Sequence, residues 1–219
     1  MFKEGMLQLL GVGIYESLYM TLISTLMSYI IGLPLGLALV STDKDGIYPI
    51  IWFNKLLGFI VNVIRSVPFL ILMIAVLPVT KTIMGTTIGS KATIVPLVIG
   101  AAPFIARMVE SSLKEVDRGV IEAAESMGAS PFQIMFKVLL PEAKPSLLVG
   151  AAISVTTILG YSAMAGIIGG GGLGAIAMNY GLYRYQRDIM FITVILLVVI
   201  VQIMQEVGMK IATISDKRL

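Results

Sequence analysis

Cysteine and histidine are both absent from the 219 residues. Without cysteine there is no disulfide framework, thiol nucleophile or thiolate metal site, and without histidine the Ser-His-Asp and Cys-His arrangements are excluded as well. A Ser-Lys dyad or a pair of carboxylates stays open. Charge is the next scarcity: charged residues make up 13% of the chain, against about 25% in ordinary soluble domains. Hydrophobic residues make up 57%. Long apolar stretches account for the missing charge and place the chain in a membrane. The net charge of +3 is spread over many loops. It reads as an orientation signal rather than a nucleic-acid surface.

A helix needs about 20 mainly apolar residues to cross the hydrocarbon core. Five stretches meet that length: 14–40, 56–79, 92–113, 147–168 and 189–211. The expected fold is therefore all-α and integral to the membrane, one domain over 1–219 with five transmembrane helices. The first stretch is too long for a signal peptide and reads as an uncleaved span. Lysine and arginine orient the chain. With the N-terminus outside, the inner side receives Lys44, Lys55, Lys114, Arg118, Lys137, Lys144, Lys210, Lys217 and Arg218, while the outer side receives Lys3, Lys81, Lys91, Arg184 and Arg187. N-out, C-in follows, and the loop over 114–145, between spans three and four, lies in the cytoplasm.

That loop has the pattern of two short helices. Val116, Val120, Ala123, Ala124 and Met127 recur at helical spacing. Gly128 suits the tight turn that ends the first helix, Ser130 suits a cap and Pro131 a first helical residue. Phe132, Met135, Phe136 and Leu139 carry the second apolar face, and Pro141 is expected to break the run. By pattern alone this is an amphipathic hairpin, resting on headgroups or packed on the chain's own spans.

The residue types are more specific than the amphipathicity. Glu122-Ala123-Ala124, Gly128, Val138 and Leu140-Pro141 resemble the EAA loop of ABC-importer permeases, with valine in place of the usual isoleucine. Arg65-Ser66-Val67-Pro68-Phe69, the run from Gly100 to Glu110, Gly160-Tyr161-Ser162-Ala163-Met164 and the glycines from Gly169 to Gly174 are similar to segments of methionine-importer permeases. The resemblance covers nearly the whole chain. It implies a coupling loop at Glu122, Ala123, Ala124, Gly128, Leu140 and Pro141, and a permease that moves methionine, D or L, into a bacterial cytoplasm. It also implies the partners: a second copy of the chain, two cytoplasmic ATPase subunits that bind ATP and magnesium, and an external methionine-binding protein. The multi-pass chain itself would sit in the cytoplasmic membrane and bind neither cofactor nor nucleic acid. An importer for another small solute shares the loop and is the alternative.

Arg107 and Glu110 stand three apart on one helix and are expected to pair. Thr156, Thr157, Tyr161 and Ser162 put hydroxyls into span four. Thr157, Tyr161, Ser162 and Met164 are the candidates for lining a solute path, with Met164 as a gate and helix packing as the plainer role. The glycine run 169–174 lacks the Lys-Ser/Thr of a phosphate loop, so an outer loop or a close helix contact is expected. Gly32 and Gly36 have the spacing of helix packing. An intramembrane enzyme would need convergent polar groups, and only scattered ones occur. A purely structural protein would leave the hairpin without a role.

Overall fold

The computed structural model describes residues 5–215. Lys3, Lys217 and Arg218, used above for orientation, lie outside them. Helix α1 (Met6–Ser41) is followed by a loop, then α2 (Ile51–Ser66), α3 (Phe69–Ala75), α4 (Leu77–Met84) and α5 (Ser90–Lys114). Next come α6 (Arg118–Ser126), α7 (Pro131–Gln133), a π-helical turn (Ile134–Leu139) and α8 (Leu140–Glu142). Helix α9 (Lys144–Ala165) leads through a 3₁₀ turn (Gly166–Ile168) to α10 (Gly172–Ile176), a second π turn (Ala177–Leu182) and α11 (Arg187–Ser215).

Among the described residues four segments are long and apolar enough to cross a membrane: α1, α5, Lys144–Leu182 beginning with α9, and α11. The pair α2–α3 also passes as one unit bent by 103°, for up to five crossings. The stretch expected as a single span over 56–79 is thus broken. Pro68 has no N–H to continue α2, and its ring disfavours helical backbone at Val67, which is extended (φ −79°, ψ 126°).

Helices α1 and α5 form the centre. Along α1 the buried positions Ser17, Thr21, Ser24, Ser28, Gly32 and Gly36 fall on one stripe of small residues. A Cβ on Gly32 would stand 2.7 Å from Ile105 Cγ2, and one on Gly36 would stand 2.7 Å from the Ala106 carbonyl oxygen. The helices touch backbone to side chain, as membrane helices do where no hydrophobic force draws them together. Leu97, Ile105, Val109 and Leu113 of α5 and Ile158 of α9 complete this core. Helix α11 is mostly exposed apolar surface, with Ile189, Thr193 and Ala212 buried.

After α9 the chain folds back, so that Gly174 lies directly against the Ala163 carbonyl and no side chain fits between them. Gly169, Gly171 and Gly172 take positive φ in this turn. Glu16 of α1 holds it from outside: its carboxylate accepts the Gly172 N–H at 2.7 Å, and Ser17 Oγ accepts the Leu173 N–H at 2.9 Å. The glycine run is a close helix contact. The α1–α2 loop, the α5 C-terminus, the α6–α8 hairpin and the start of α9 share one end of the bundle, and the glycine turn lies at the other.

Candidate functional site

Every boundary of the hairpin has a local chemical cause. Asp117 caps α6 by accepting the Gly119 N–H at 2.7 Å. The helix stops at Gly128, whose φ of 78° suits glycine; Gly128 donates to the Glu125 carbonyl and Ala129 to that of Ala124. Ser130 and Gln133 then form a capping box, and Pro131 stands in the first turn of the new helix. Pro141 does not break this second run. The π turn widens the helix ahead of it, Leu140 N–H bonds five residues back to Met135, and Pro141 enters the first turn of α8, where its missing N–H is tolerated. Helical backbone therefore continues almost unbroken into α9.

The hairpin has an inward and an outward face. Ile121, Ala124, Ile134, Val138, Leu139 and Leu140 pack on the central core. Glu122, Ala123, Gly128 and Pro141 are exposed. Around them stand Met127 at 87% exposure and Phe132 at 65%, the latter beside Phe136 with ring centroids 4.4 Å apart. The adjacent alanines thus face opposite ways: Ala124 anchors the hairpin, while Ala123 leaves room beside it. Exposed methionine and phenylalanine stand together on the outward face of a small polar element.

A chain of charges ties the hairpin to the bundle. Arg107 pairs with Glu110 as the spacing predicted, and its second nitrogen donates to the Gly58 carbonyl of α2 at 3.1 Å. Lys114 bonds the other Glu110 oxygen at 2.9 Å and Asp43 of the α1–α2 loop at 2.8 Å. Arg118, the first residue of α6, donates to the Asp45 carbonyl at 3.0 Å. The Lys114 ammonium holds the Asp43 carboxyl below the usual carboxylate range. Lys114 and Arg118 entered the sequence reading only as loop charges, and Asp43 not at all. They lie far apart along the chain, and no short-range pattern pairs them.

Of the path candidates on α9, Thr157, Tyr161 and Met164 share one stripe at i, i+4 and i+7. Met164 is 44% exposed, and Gly160 beside it is exposed too. Ser162 is buried at 1% and donates to the Leu159 carbonyl at 2.8 Å, so its hydroxyl is spent within its own helix. The Thr157 hydroxyl likewise bonds Ile153, at 2.8 Å. Tyr161 stacks on Phe69, with centroids 4.1 Å apart and planes within 7°. Three quoted motifs converge there, because a small 120 Å³ cavity beside the stack is lined by Arg65, Phe69, Gly100, Phe104 and Tyr161. Glu16 had no sequence signal beyond being a lone carboxylate in a span. Among the described residues no cluster of acidic side chains could hold a metal ion.

Residues 28–218 match the family described as binding-protein-dependent transport system inner membrane component. The chain is 51% identical over 204 residues to a probable D-methionine transport system permease protein of Vibrio cholerae serotype O1, covering 93% of this chain and 91% of that protein. It is 49% identical over 164 residues to the D-methionine transport system permease protein of Escherichia coli K12, covering 75% and 76%. Among solved structures, an inward-facing conformation of the MetNI methionine ABC transporter has a chain that superposes with a TM-score of 0.97 at 45% identity, covering 99% of this chain and 100% of that one.

Proposed function

The chain belongs to the family of inner membrane components of binding-protein-dependent transport systems, and from that membership we propose that it is the permease subunit of an ATP-driven methionine importer. It is a multi-pass protein of the bacterial cytoplasmic membrane and not an enzyme: a separate ATPase subunit carries hydrolysis. The observation that carries the reading is full-length likeness to a methionine transporter chain in a molecule that also bears an outward-facing, chemically defined hairpin.

The chain is one transmembrane domain, N-out and C-in, with the hairpin end in the cytoplasm. Two copies stand side by side, two ATPase subunits hold ATP and magnesium below them, and an external methionine-binding protein delivers the solute. Ala123, Met127 and Phe132 sit against the ATPase subunit, Glu122 meets a donor on it, and Gly128 fixes the angle at which the load is received. Because Pro141 leaves the helix running into α9, displacement of the hairpin reaches α9 without a flexible joint. Helix α9 is the mover. Its Thr157–Tyr161–Met164 stripe faces the path between the copies, and the exposed thioether of Met164 is the gate, a soft surface matched to the thioether of the cargo. The Phe69–Tyr161 stack passes the movement on to the bend between α2 and α3.

Labelled methionine and proteoliposomes containing this chain with its ATPase subunit, with and without the binding protein, test the reading. ATP-dependent uptake stimulated by the binding protein is expected. ATP-dependent uptake of another solute in place of methionine would refute the substrate and keep the architecture.

A further inference from the structure

Between the α1–α2 loop and α6 lies an open groove of about 610 Å³. Its floor is apolar, made by Val40, Ile47, Leu113, Val116, Ile121 and Leu139. Its charged lining is Asp43, Asp45, Glu122 and Glu125 against Lys114 and Arg118, four acids to two bases. Both bases are engaged within the chain, Lys114 by Asp43 and Glu110, and Arg118 by Asp45. Glu122 and Glu125, one helical turn apart on α6, are exposed and have no ion pair among the described residues. The groove thus combines an apolar floor with an unbalanced acidic rim. Anionic lipid headgroups and phosphate are repelled by that balance. An apolar stem ending in a cation fits it, which is the chemistry of an arginine or lysine side chain.

We propose that the α1–α2 loop is the second wall of the ATPase-docking socket, and that the groove takes a basic side chain of the ATPase subunit. The inference rests on the reading of the hairpin as the ATPase-coupling element. It adds that the footprint is composite: α6 is shared by the outward apolar face and the groove, and the Lys114–Asp43 and Arg118–Asp45 bridges set the groove's width. The loop therefore shares the load with the hairpin.

Two measurements test it. Glu125 is exposed, so Glu125→Lys leaves the fold intact while placing a like charge beside the incoming cation. Binding of the ATPase subunit to detergent-solubilised permease should weaken by about tenfold or more, and less for Glu125→Gln. Since the chain has no cysteine, Lys44→Cys, which leaves both bridges in place, provides a single thiol for a benzophenone photo-crosslinker on the loop wall. Capture of an ATPase peptide containing arginine or lysine supports the inference, and reversing that residue's charge should restore binding to Glu125→Lys. Unchanged binding of Glu125→Lys, or capture of lipid alone, overturns it. If the wild-type chain does not bind the ATPase subunit at all, the coupling reading itself has failed. If the wild type and Glu125→Lys bind alike, only the groove has.

Discussion

The Gly128 turn offers a clean perturbation because no atom of the described residues lies within 4 Å of a Cβ built there. Replacement therefore meets no clash within the chain, and its cost to the chain's own fold is conformational. With φ at 78°, an L-residue incurs roughly 1–2 kcal/mol, and a β-branched one stands at the upper end. Stiffening of the unfolded chain returns about 0.4–1 kcal/mol of that. The net for Gly128→Val is about 1–1.5 kcal/mol, or roughly tenfold in the population of the native turn. Helix α6 has 9 residues, below the roughly 12–15 at which an isolated helix holds its own, so the loss falls on the hairpin rather than on the bundle. Gly128→Asn is the control, since asparagine visits the left-handed region readily. In proteoliposomes with the ATPase subunit and binding protein, Gly128→Val should insert normally and hydrolyse ATP while moving much less methionine per ATP. Gly128→Asp should behave similarly but more mildly. Wild-type coupling in Gly128→Val would refute the assignment of this turn to force transmission.

Other expectations follow from the packing and the charges. Gly36→Leu should sharply lower the yield and thermal stability of the purified chain, by about 2 kcal/mol or more, because its Cβ meets the rigid Ala106 carbonyl and α1 and α5 must part; Gly160→Ala, with open space around it, should not. Glu110→Gln leaves Arg107 without its counter-charge at side-chain exposures of 24% and 12%, and should lower stability in a denaturation assay by up to about 3 kcal/mol, the lower end of the range for a fully buried pair. Asp43, held below the usual range by Lys114, contributes stability that is present above its unfolded pKa of about 3.9 and lost as pH falls through its folded value. Melting curves of wild type and Asp43→Asn should differ at neutral pH and converge below about pH 4. Met164→Ala should raise methionine leak or uncouple hydrolysis in sealed vesicles, and wild-type tightness would remove it from the gate.

Much of the hairpin was legible because its signals are local. Gly128, Ser130 and Pro131 act on backbone close to themselves, so spacing carries them; the Asp117 cap and the Gln133 half of the capping box are as local but were not read. Pro141 was misread for the complementary reason: a proline's effect depends on how the preceding turn adjusts, and a π turn at Ile134–Leu139 absorbed it. On α9, helical period set Thr157, Tyr161 and Met164 on one stripe, but burial separated Ser162 from them. Period fixes the angle about an axis, and only the neighbours decide which angle is covered.

By itself the sequence determined that this chain lives in a membrane as helices, that a polar hairpin interrupts it, and that Arg107 pairs with Glu110. Hydropathy, local backbone chemistry and i,i+3 geometry need no knowledge of distant contacts. Tertiary structure alone decided the rest: the Glu16 hold on the glycine turn, the Phe69–Tyr161 stack, the Lys114–Asp43 bridge and the groove beside α6. Each joins segments tens of residues apart. The spacing of Gly32 and Gly36 shows where a helix can approach closely, and the fold decides that it is α5 that meets them there; which element lies beside which is written in no local period.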